Sequence, residues 1–511
     1  MNKIILYPIV FICGGAVLAV EILGTRIIGP YYGVSIFLWS ALISVTLIAL
    51  SAGYMIGGRI ADRKKNIGSL AVIIAIAGVI TILIPVFRNS VISITESVGL
   101  RTSVLITSFI LFFPPLTFLG MVSPFAVKLR TQSLDVVGTR AGDLYAVSTI
   151  GSVLAALLTG YILIPNIGVV KLTISIGIIL ILTSVFLFVS NKGKVSRVIS
   201  SLLIIIITVV SFNFLPSEKA DPSRGMIAVK QSVYGEIRVM DLDETRMLLI
   251  DGGIHTAVDK TTGENILPYA WVIDITKKLQ MYTGDMLLIG LGGGSVLKSF
   301  YEDDWDVEAV EVDPEIIRIE KKYFNPVPGF DNIINDDGRE FLRTTDRTFD
   351  LIVLDAFGSS SVPFHLTTVE AFALAKSRLK KDGIMAVNIE ALGWNDIIVG
   401  SLAKTLHKVF SNVLALPIAE PPNQLGNVIL LASDKPLELT APLERDYWKT
   451  DYRFSDQYER NHAWDNRFVP DMKDAVLLTD DLNPVGIWAE RINLQARKEL
   501  HKMLGEKSFM W

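Results

Sequence analysis

Three acidic residues in the C-terminal half follow short apolar runs, at positions where strands would end. Glu311 lies in "AVEVD", Asp337 in "NDDGREFL" and Asp355 in "LIVLDAF". A glycine-rich turn, "GLGGGS", precedes Glu311 by about 20 residues, the spacing at which a carboxylate can accept both hydroxyls of a ribose. A carboxylate at the next strand end can accept from an adenine amino group. The pattern therefore predicts a nucleoside site.

The glycine-rich turn would bring the backbone close to a ligand. No Gly-Lys-Ser/Thr follows it, so the turn is not a P-loop. The predicted nucleoside-binding residues are Gly290, Gly292, Gly293, Gly294, Glu311, Asp337 and Gly338. Asp355 lies at the mouth of the same crevice.

Alternating strands and helices must position these residues. From "DMLLIGLGGGS" onward, apolar strands alternate with helical segments, which predicts an α/β fold with a mainly parallel sheet. The preceding segment "GMIAVKQSVYGEIRVMDLDETRMLLIDGG" alternates apolar and polar residues between turn signals, which predicts a small antiparallel β unit. The tail segment "NPVGIWAERINLQARKELHKML" predicts an amphipathic helix.

The first 216 residues are of a different kind. Apolar runs long enough to cross a bilayer predict about seven spans. They lie near 4–22, 35–57, 69–87, 103–127, 144–164, 169–190 and 198–215. Pro114-Pro115 predicts a kink in the fourth span, because proline removes a backbone donor. "SAGYMIGG" places Gly53 and Gly57 four residues apart, which predicts a close helix contact.

Lysine and arginine concentrate in the loops that would lie on the same side of the membrane as the N-terminus. This bias predicts an intracellular N-terminus. Seven spans would then place the C-terminal half outside. A nucleoside ligand made in the cytoplasm favours the opposite side, so the charge count and the ligand supply disagree. On ligand supply alone, we expect a multi-pass protein of the plasma membrane whose soluble half faces the cytoplasm.

Composition excludes some other classes. The chain has 511 residues and a net charge of −4, which gives no reason to expect a nucleic-acid partner. Cys13 is the single cysteine, so no disulfide can form within the chain.

The segments "LLIGLGGGS", "VEVD", "DDGREFL" and "FDLIVLDAF" resemble the spermidine synthase branch of the S-adenosylmethionine-dependent methyltransferase fold, over about 227–433. The whole chain looks like the membrane-fused spermidine synthase-like proteins, often called fused transporter/spermidine synthases. Segments such as "EILGTRIIGPYYG", "GGRIADR", "VPFHLTT" and "LLTDDLNP" are similar to that subgroup. The resemblance implies a helical membrane domain followed by an α/β Rossmann-like, methyltransferase-type domain with a small N-terminal β unit.

This resemblance sets the expected boundaries. They are a transmembrane domain at 1–216, a linker at 217–225, a catalytic domain at 226–435 and a C-terminal extension at 436–511. Within the catalytic domain, the β unit is expected at 226–256 and the Rossmann-like core at 270–435.

The resemblance also assigns roles. Glu311 would hold the ribose and Asp337-Gly338 the adenine of S-adenosylmethionine or its decarboxylated form, used as co-substrate without a metal. Asp355 would accept a proton from the attacking amine. Several acceptor-side residues of the family are replaced in this chain. Glycines stand at 235, 293 and 358, Ala270 stands where a histidine is expected and His255 where a glutamine is expected.

Buried polyamine charges need matching carboxylates, so these replacements leave three functions open. The first is aminopropyl transfer to an amine. The second is methyl transfer to a lipid or another membrane-delivered acceptor. The third is a transporter or scaffold with a nucleoside-binding regulatory domain. The expected partners are a small-molecule acceptor and membrane lipids, and a homo-oligomer is compatible with the sequence.

Overall fold

A computed structural model describes residues 5–33, 35–95, 98–131, 137–190, 220, 222–356, 362–418, 422–443 and 456–504. These residues form two compact units, with the main division near residue 220. The first unit is helical and apolar, and the second is a mixed α/β structure.

The first unit consists of long apolar helices. They are α1 (Leu6–Tyr32), α2 (Ile36–Arg63), α3 (Ile67–Thr95), α4 (Leu100–Gly120), α5 (Val122–Arg130), α6 (Val137–Leu158), the short α7 (Ile164–Ile167) and α8 (Val169–Ser190). A π-helical turn, Thr159–Leu163, joins α6 to α7. Within the described residues, six segments are long and apolar enough to cross a membrane, which confirms the first six predicted spans. The seventh predicted span, 198–215, lies outside the described residues.

The fourth span is interrupted after its prolines. Helix α4 continues through Pro114 and Pro115, and the helical pattern breaks at Met121, between α4 and α5. At this junction α2 approaches closely, as "SAGYMIGG" predicts. A Cβ atom on Gly53 would lie 2.4 Å from the Thr117 carbonyl oxygen, and one on Gly57 would lie 2.6 Å from the Met121 Cα. Only glycine allows this contact between the helices.

The second unit begins with the predicted antiparallel β unit. Its strands are β1 (Met226–Gln231), β2 (Glu236–Leu242), β3 (Thr245–Ile250) and β4 (Gly253–Asp259), paired in the order β1-β2-β3-β4. The turn between β2 and β3 contains Asp243 at φ 51°, and the turn between β3 and β4 contains Asp251 at φ 44°. Aspartate tolerates this left-handed conformation better than most side chains.

A seven-stranded sheet forms the centre of the second unit. Its strands are β5 (Asp285–Ile289), β6 (Asp306–Glu311), β7 (Ile333–Asn335), β8 (Phe349–Leu354), β9 (Leu379–Leu392), β10 (Asn412–Pro417) and β11 (Leu425–Ser433). The order is β10-β11-β9-β8-β5-β6-β7. Strands β5 to β9 pair in parallel, whereas β11 is antiparallel to both of its neighbours. This confirms the mainly parallel sheet.

Helices cover both faces of this sheet. They are α9 (Pro268–Ile273), α10 (Ile275–Gln280), α11 (Ser295–Glu302), α12 (Pro314–Ile319), α13 (Gly338–Thr344), α14 (Val369–Ser377), α15 (Ile397–His407), α16 (Asp456–Asp465) and α17 (Val485–Leu504). Side chains alternate along β5, so that Leu287 and Leu288 enter different apolar cores on opposite faces. The predicted tail helix is α17, and its Val485 and Ile492 are buried in the core that contains Leu287.

Candidate active site

The predicted acidic residues converge at one edge of the seven-stranded sheet. Glu311 is the last residue of β6, Asp337 follows β7, and Asp355 comes directly after β8. Strand β5 lies between β6 and β8, so the chain order reverses on its two sides. Ligands of open α/β sheets bind in the crevice at such a switch point.

The glycine loop begins this crevice at Gly290, directly after β5. Gly290 has φ 96°, and a Cβ atom there would lie 2.4 Å from the Asp355 carbonyl oxygen. The backbone N–H of Gly290 donates to the Val310 carbonyl at 2.9 Å. Any side chain at Gly290 would therefore separate the loop from the ends of β6 and β8.

The rest of the loop packs against β4. The N–H of Gly293 donates to the Thr256 hydroxyl at 2.8 Å, and a Cβ atom on Gly293 would lie 2.7 Å from the Thr256 methyl group. The expected family acid at Gly293 therefore has no room here. Gly292 has φ 54° and also faces Thr256, and Gly294, at φ 80°, begins α11.

Glu311 is held by the loop that it faces. Its two carboxylate oxygens accept from the N–H groups of Leu291 at 3.0 Å and Asp313 at 2.9 Å. Burial raises the pKa of this carboxyl group, and the backbone hydrogen bonds oppose that shift only in part. Each oxygen keeps a further lone pair, so the carboxylate can still accept from ribose hydroxyls.

Asp337 combines a structural role with its predicted binding role. Its Oδ1 caps α13 by accepting from the N–H groups of Arg339 at 3.0 Å and Glu340 at 3.1 Å. Its Oδ2 contacts His365 Nε2 at 2.8 Å. Burial would raise the pKa of Asp337, but the His365 contact and these N–H donors outweigh it and lower the pKa. A Cβ atom on Gly338 would lie 2.4 Å from the Ile289 side chain, so glycine lets α13 start against β5.

A segment of the tail fixes this end of the crevice. The Asp480 carboxylate binds the Arg339 guanidinium with both oxygens, at 2.8 and 2.6 Å. Arg339 also donates to the His365 carbonyl at 3.1 Å. Asn483 donates to the Phe364 carbonyl at 2.8 Å. The motifs "LLTDDLNP" and "VPFHLTT" therefore contact each other directly.

Asp355 lies in a neutral environment. Its Oδ1 accepts from Asn388 of β9 at 2.7 Å, and Asn388 accepts in turn from Asn427 of β11 at 3.0 Å. The Tyr269 hydroxyl also hydrogen-bonds to the Asp355 carboxylate. Burial raises the pKa of Asp355 to about 7, although the hydrogen bonds from Asn388 and Tyr269 oppose the rise. A carboxyl group with this pKa can accept and release a proton near neutral pH.

His255 adds no positive charge to this region. Burial lowers the pKa of its imidazole to about 4, and its Nε2 atom is buried without a hydrogen-bond partner among the described residues. The His255 carbonyl lies 3.5 Å from the Tyr269 hydroxyl oxygen, at the outer limit of hydrogen bonding. Gly358, the other replaced acceptor-side position near Asp355, lies outside the described residues.

Sequence reasoning missed two supports of the site. Asn388 carried a usable signal, because it is a single amide in the apolar strand "GIMAVNIE", where a buried polar group needs a partner. Thr256 carried none, because threonine is ordinary in a strand and its contact with Gly293 joins segments far apart in sequence.

The sheet order, the glycine loop and the acids at successive strand ends define a Rossmann-like, methyltransferase-type domain with a crevice at its switch point. Residues 241–440 match the family model described as the spermine/spermidine synthase domain. The C-terminal half of the chain is therefore similar to spermine/spermidine synthase domains, as its motifs predict.

Curated relatives agree with this assignment. Polyamine aminopropyltransferase 1 of Aquifex aeolicus is 28% identical over 188 residues, which cover 35% of this chain and 66% of the relative. The polyamine aminopropyltransferase of a Hydrogenobaculum species is 30% identical over 187 residues, with the same coverage of 35% and 66%. Polyamine aminopropyltransferase 2 of Aquifex aeolicus is 19% identical over 398 residues, which cover 74% of this chain and 77% of the relative. The chain spans about half to two thirds of the length of the first relatives that it matches.

Solved structures are similar to the same region. A spermidine synthase from Thermotoga maritima is 23% identical with a TM-score of 0.35, covering 42% of this chain and 74% of its own. A probable spermidine synthase from Corynebacterium glutamicum is 18% identical with a TM-score of 0.36, covering 41% and 80%.

Proposed function

We propose that this protein is an integral membrane, spermidine synthase-like transferase. It would transfer an aminopropyl group from decarboxylated S-adenosylmethionine to an amine. One observation supports this proposal most directly. The carboxyl group of Asp355, with its pKa raised to about 7, lies at the crevice that also contains Glu311.

The residues of the crevice fit the proposed co-substrate. Glu311 would accept hydrogen bonds from the ribose hydroxyls, and the Asp337-Gly338 segment would contact the adenine. The glycines let the loop turn tightly against the protein beside the crevice, because a Cβ atom on Gly290 would collide with Asp355 and one on Gly293 would collide with Thr256. The bound sulfonium would supply the carbon that is attacked and the thioether that leaves.

Asp355 would act on the acceptor. An amine is a nucleophile only without its extra proton, and a nearby carboxylate can take that proton as the C–N bond forms and the C–S bond breaks. Asn388 and Tyr269 would hold the carboxylate in place for this step. Because the displacement needs no other catalytic group, positioning should supply much of the rate.

The membrane assignment is part of the same proposal. The six apolar segments support a multi-pass protein, which we place in the plasma membrane with its soluble unit in the cytoplasm. The proposed division is a membrane domain at 1–216, a linker at 217–225, a catalytic domain at 226–435 and an extension at 436–511.

Calorimetry on the full chain in detergent would test the binding half of this proposal. Decarboxylated S-adenosylmethionine should bind more tightly than S-adenosylmethionine, and Glu311→Gln should weaken both, because a neutral amide accepts less strongly. Glu302→Gln is the matched control, since the Glu302 side chain is 58% exposed on α11. Equal binding by all three proteins would contradict the role of Glu311.

The nucleoside product would test the transfer itself. Incubation of both donors with putrescine and shorter diamines should release 5′-methylthioadenosine if an aminopropyl group moves. S-adenosylhomocysteine would instead indicate methyl transfer, the alternative that the missing acceptor-side acids leave open. Tight binding without either product would favour a regulatory nucleoside site in a transporter or scaffold.

A further inference from the structure

The membrane unit contains a cavity that the transferase reaction does not use. It has a volume of about 260 Å³ and lies among α1, α2, α4, α5 and α6. Six hydroxyl side chains line it together with aliphatic residues: Tyr54, Ser123, Tyr145, Ser148, Thr149 and Ser152. Within the described residues, no Asp, Glu, Lys, Arg or His lines this cavity.

The lining excludes a polyamine and favours a neutral acceptor of hydrogen bonds. A polycation in a low-dielectric site needs carboxylates, and none occurs among the described residues of this lining. Hydroxyl groups can donate to ester carbonyls, and the aliphatic walls suit hydrocarbon. The cavity reaches the outer surface between α2 and α6, because Tyr54 is 47% exposed and Tyr145 is 49% exposed. At this depth, the outer surface faces lipid.

A cation without a carboxylate partner among the described residues lies beside Tyr7, which precedes the cavity-lining Val10 by about one turn of α1. Arg130, at the end of α5, stacks on the Tyr7 ring at 5.2 Å, and its Nε atom is buried without a hydrogen-bond partner among the described residues. The nearby acid is already engaged, since Asp143 accepts from Tyr7 at 3.2 Å and pairs with Arg140 at 3.7 Å. Other basic residues, at 59–65 and 128–140, lie at the same helix ends.

We propose that this hydroxyl-lined cavity and Arg130 form a binding site for an anionic glycerophospholipid. The phosphate would contact Arg130, and the glycerol esters would accept hydrogen bonds from the hydroxyls. Along α6, Tyr145 lies about 8 Å and Ser148 about 12 Å beyond Arg140. These distances suit the glycerol esters of a lipid whose phosphate lies at the basic helix ends. The acyl chains would lie on the outer face of α6, where Leu154 is 45% exposed and Leu157 is 53% exposed. In other membrane proteins, basic pockets between transmembrane helices bind anionic lipid headgroups.

The size of the cavity fits a ligand whose glycerol esters lie inside it and whose acyl chains lie outside. Sites that enclose whole drug-sized molecules measure roughly 300–1,000 Å³. A cavity of about 260 Å³ holds a glycerol neck with its esters rather than a complete lipid. All lining residues belong to the membrane unit, so the lipid proposal does not depend on the reaction proposed for the nucleoside crevice.

Native mass spectrometry of the full chain in mild detergent would test the site. The probes are dioleoylphosphatidylglycerol, dioleoylphosphatidylcholine with the same chains, and soluble glycerol 3-phosphate. Phosphatidylglycerol should be retained most strongly, and Arg130→Gln should weaken its binding about five- to tenfold. Arg130→Lys should keep most of the binding, because it keeps the charge. Arg88→Gln is the matched control, since Arg88 stacks on Tyr31 at 5.4 Å but its Nε is paired with Asn89.

A second variant tests the cavity itself. Thr149→Leu removes a hydroxyl and fills space at an exposed position, so it should weaken both phospholipids. Unchanged retention in Thr149→Leu would overturn the cavity part of the proposal. Equal losses in Arg130→Gln and Arg88→Gln, equal retention of the two phospholipids, or displacement by glycerol 3-phosphate alone would overturn the lipid assignment. Gel filtration of each variant would verify folding.

Discussion

Two aspartates at opposite ends of strand β8 lie in opposite electrostatic environments. Asp350, near the start of the strand, pairs with Lys380 at 2.8 Å and accepts from Tyr282 at 3.1 Å. Burial would raise its pKa, but these contacts outweigh burial and lower the pKa. Asp355, just beyond the end of the strand, has only neutral partners among the described residues, and burial raises its pKa to about 7.

The contrast extends along both edges of the sheet. At the amino-terminal edge, Arg347 contacts Asp306 at 2.8 Å and Glu308 at 3.3 Å, so the acids there are matched by cations. At the carboxyl-terminal edge, Glu311 and Asp355 are matched by N–H groups and amides. An ion-paired carboxylate holds its charge and contributes to stability. Burial raises the pKa of both the Glu311 and the Asp355 carboxyl groups, and at Asp355 the value of about 7 lets the group change its protonation near neutral pH, a property suited to general base catalysis.

The largest expected effect is on the rate, from Asp355→Asn. The amide has nearly the same shape but cannot accept the proton of the amine, so the transfer rate should fall about 10²–10⁴-fold. Release of 5′-methylthioadenosine measures the rate, and calorimetry should show that decarboxylated S-adenosylmethionine still binds. A rate within tenfold of the unmodified protein would remove Asp355 from the chemistry.

The matched change at the other end of the strand should affect stability instead. Asp350→Asn removes the charge that Lys380 faces, and should lower the free energy of unfolding by about 1–3 kcal/mol. Lys380 is 37% exposed, so solvent screens part of the loss. Hydrogen exchange of the β8 amides in the full chain would report the change. The folded fraction should retain its turnover. A loss of turnover without faster exchange would contradict the assignment of stability to the amino-terminal edge and of catalysis to the carboxyl-terminal edge.

The pH dependence should separate the two aspartates further. Asp355 must be ionised to accept a proton, so kcat/KM should rise with pH through about 7 and level off above it. Asn388→Ala removes a hydrogen bond that favours the ionised form, so the rise should move to higher pH. Lys380→Gln should leave the position of the rise unchanged, because Lys380 acts on Asp350. A rise that stays in place in Asn388→Ala would show that another group titrates.

Local sequence patterns were sufficient to predict which strand ends carry the candidate site residues. Alternating segments placed Glu311 and Asp355 at the ends of parallel strands, and the glycine loop placed the crevice beside them. The six described spans followed from apolar run length alone. In each case the signal lies within about 20 residues, the range over which periodicity and turn chemistry act.

The supports of the site depend on contacts that no local pattern contains. Asn388 reaches Asp355 across 33 residues, and Asp480 reaches Arg339 across 141. The contact at the Met121 break is also non-local, since Gly57, whose Cβ would lie 2.6 Å from the Met121 Cα, belongs to another helix. Such pairings depend on the assembled sheet and bundle, so the sequence predicted where the candidate site residues lie but not which residues hold them.

The smallest expected effect comes from removing one tyrosine hydroxyl beside each of the two aspartates. Tyr282→Phe removes the hydrogen bond to Asp350 and leaves the Lys380 pair intact, so the free energy of unfolding should fall by about 1 kcal/mol. Tyr269→Phe removes the equivalent hydroxyl beside Asp355, which has no cationic partner among the described residues, and should move the rise in kcat/KM to higher pH. Because the two changes are chemically identical, hydrogen exchange and pH profiles of both variants isolate the environment as the cause. A shift of the pH profile in Tyr282→Phe would mean that the two edges are coupled through β8.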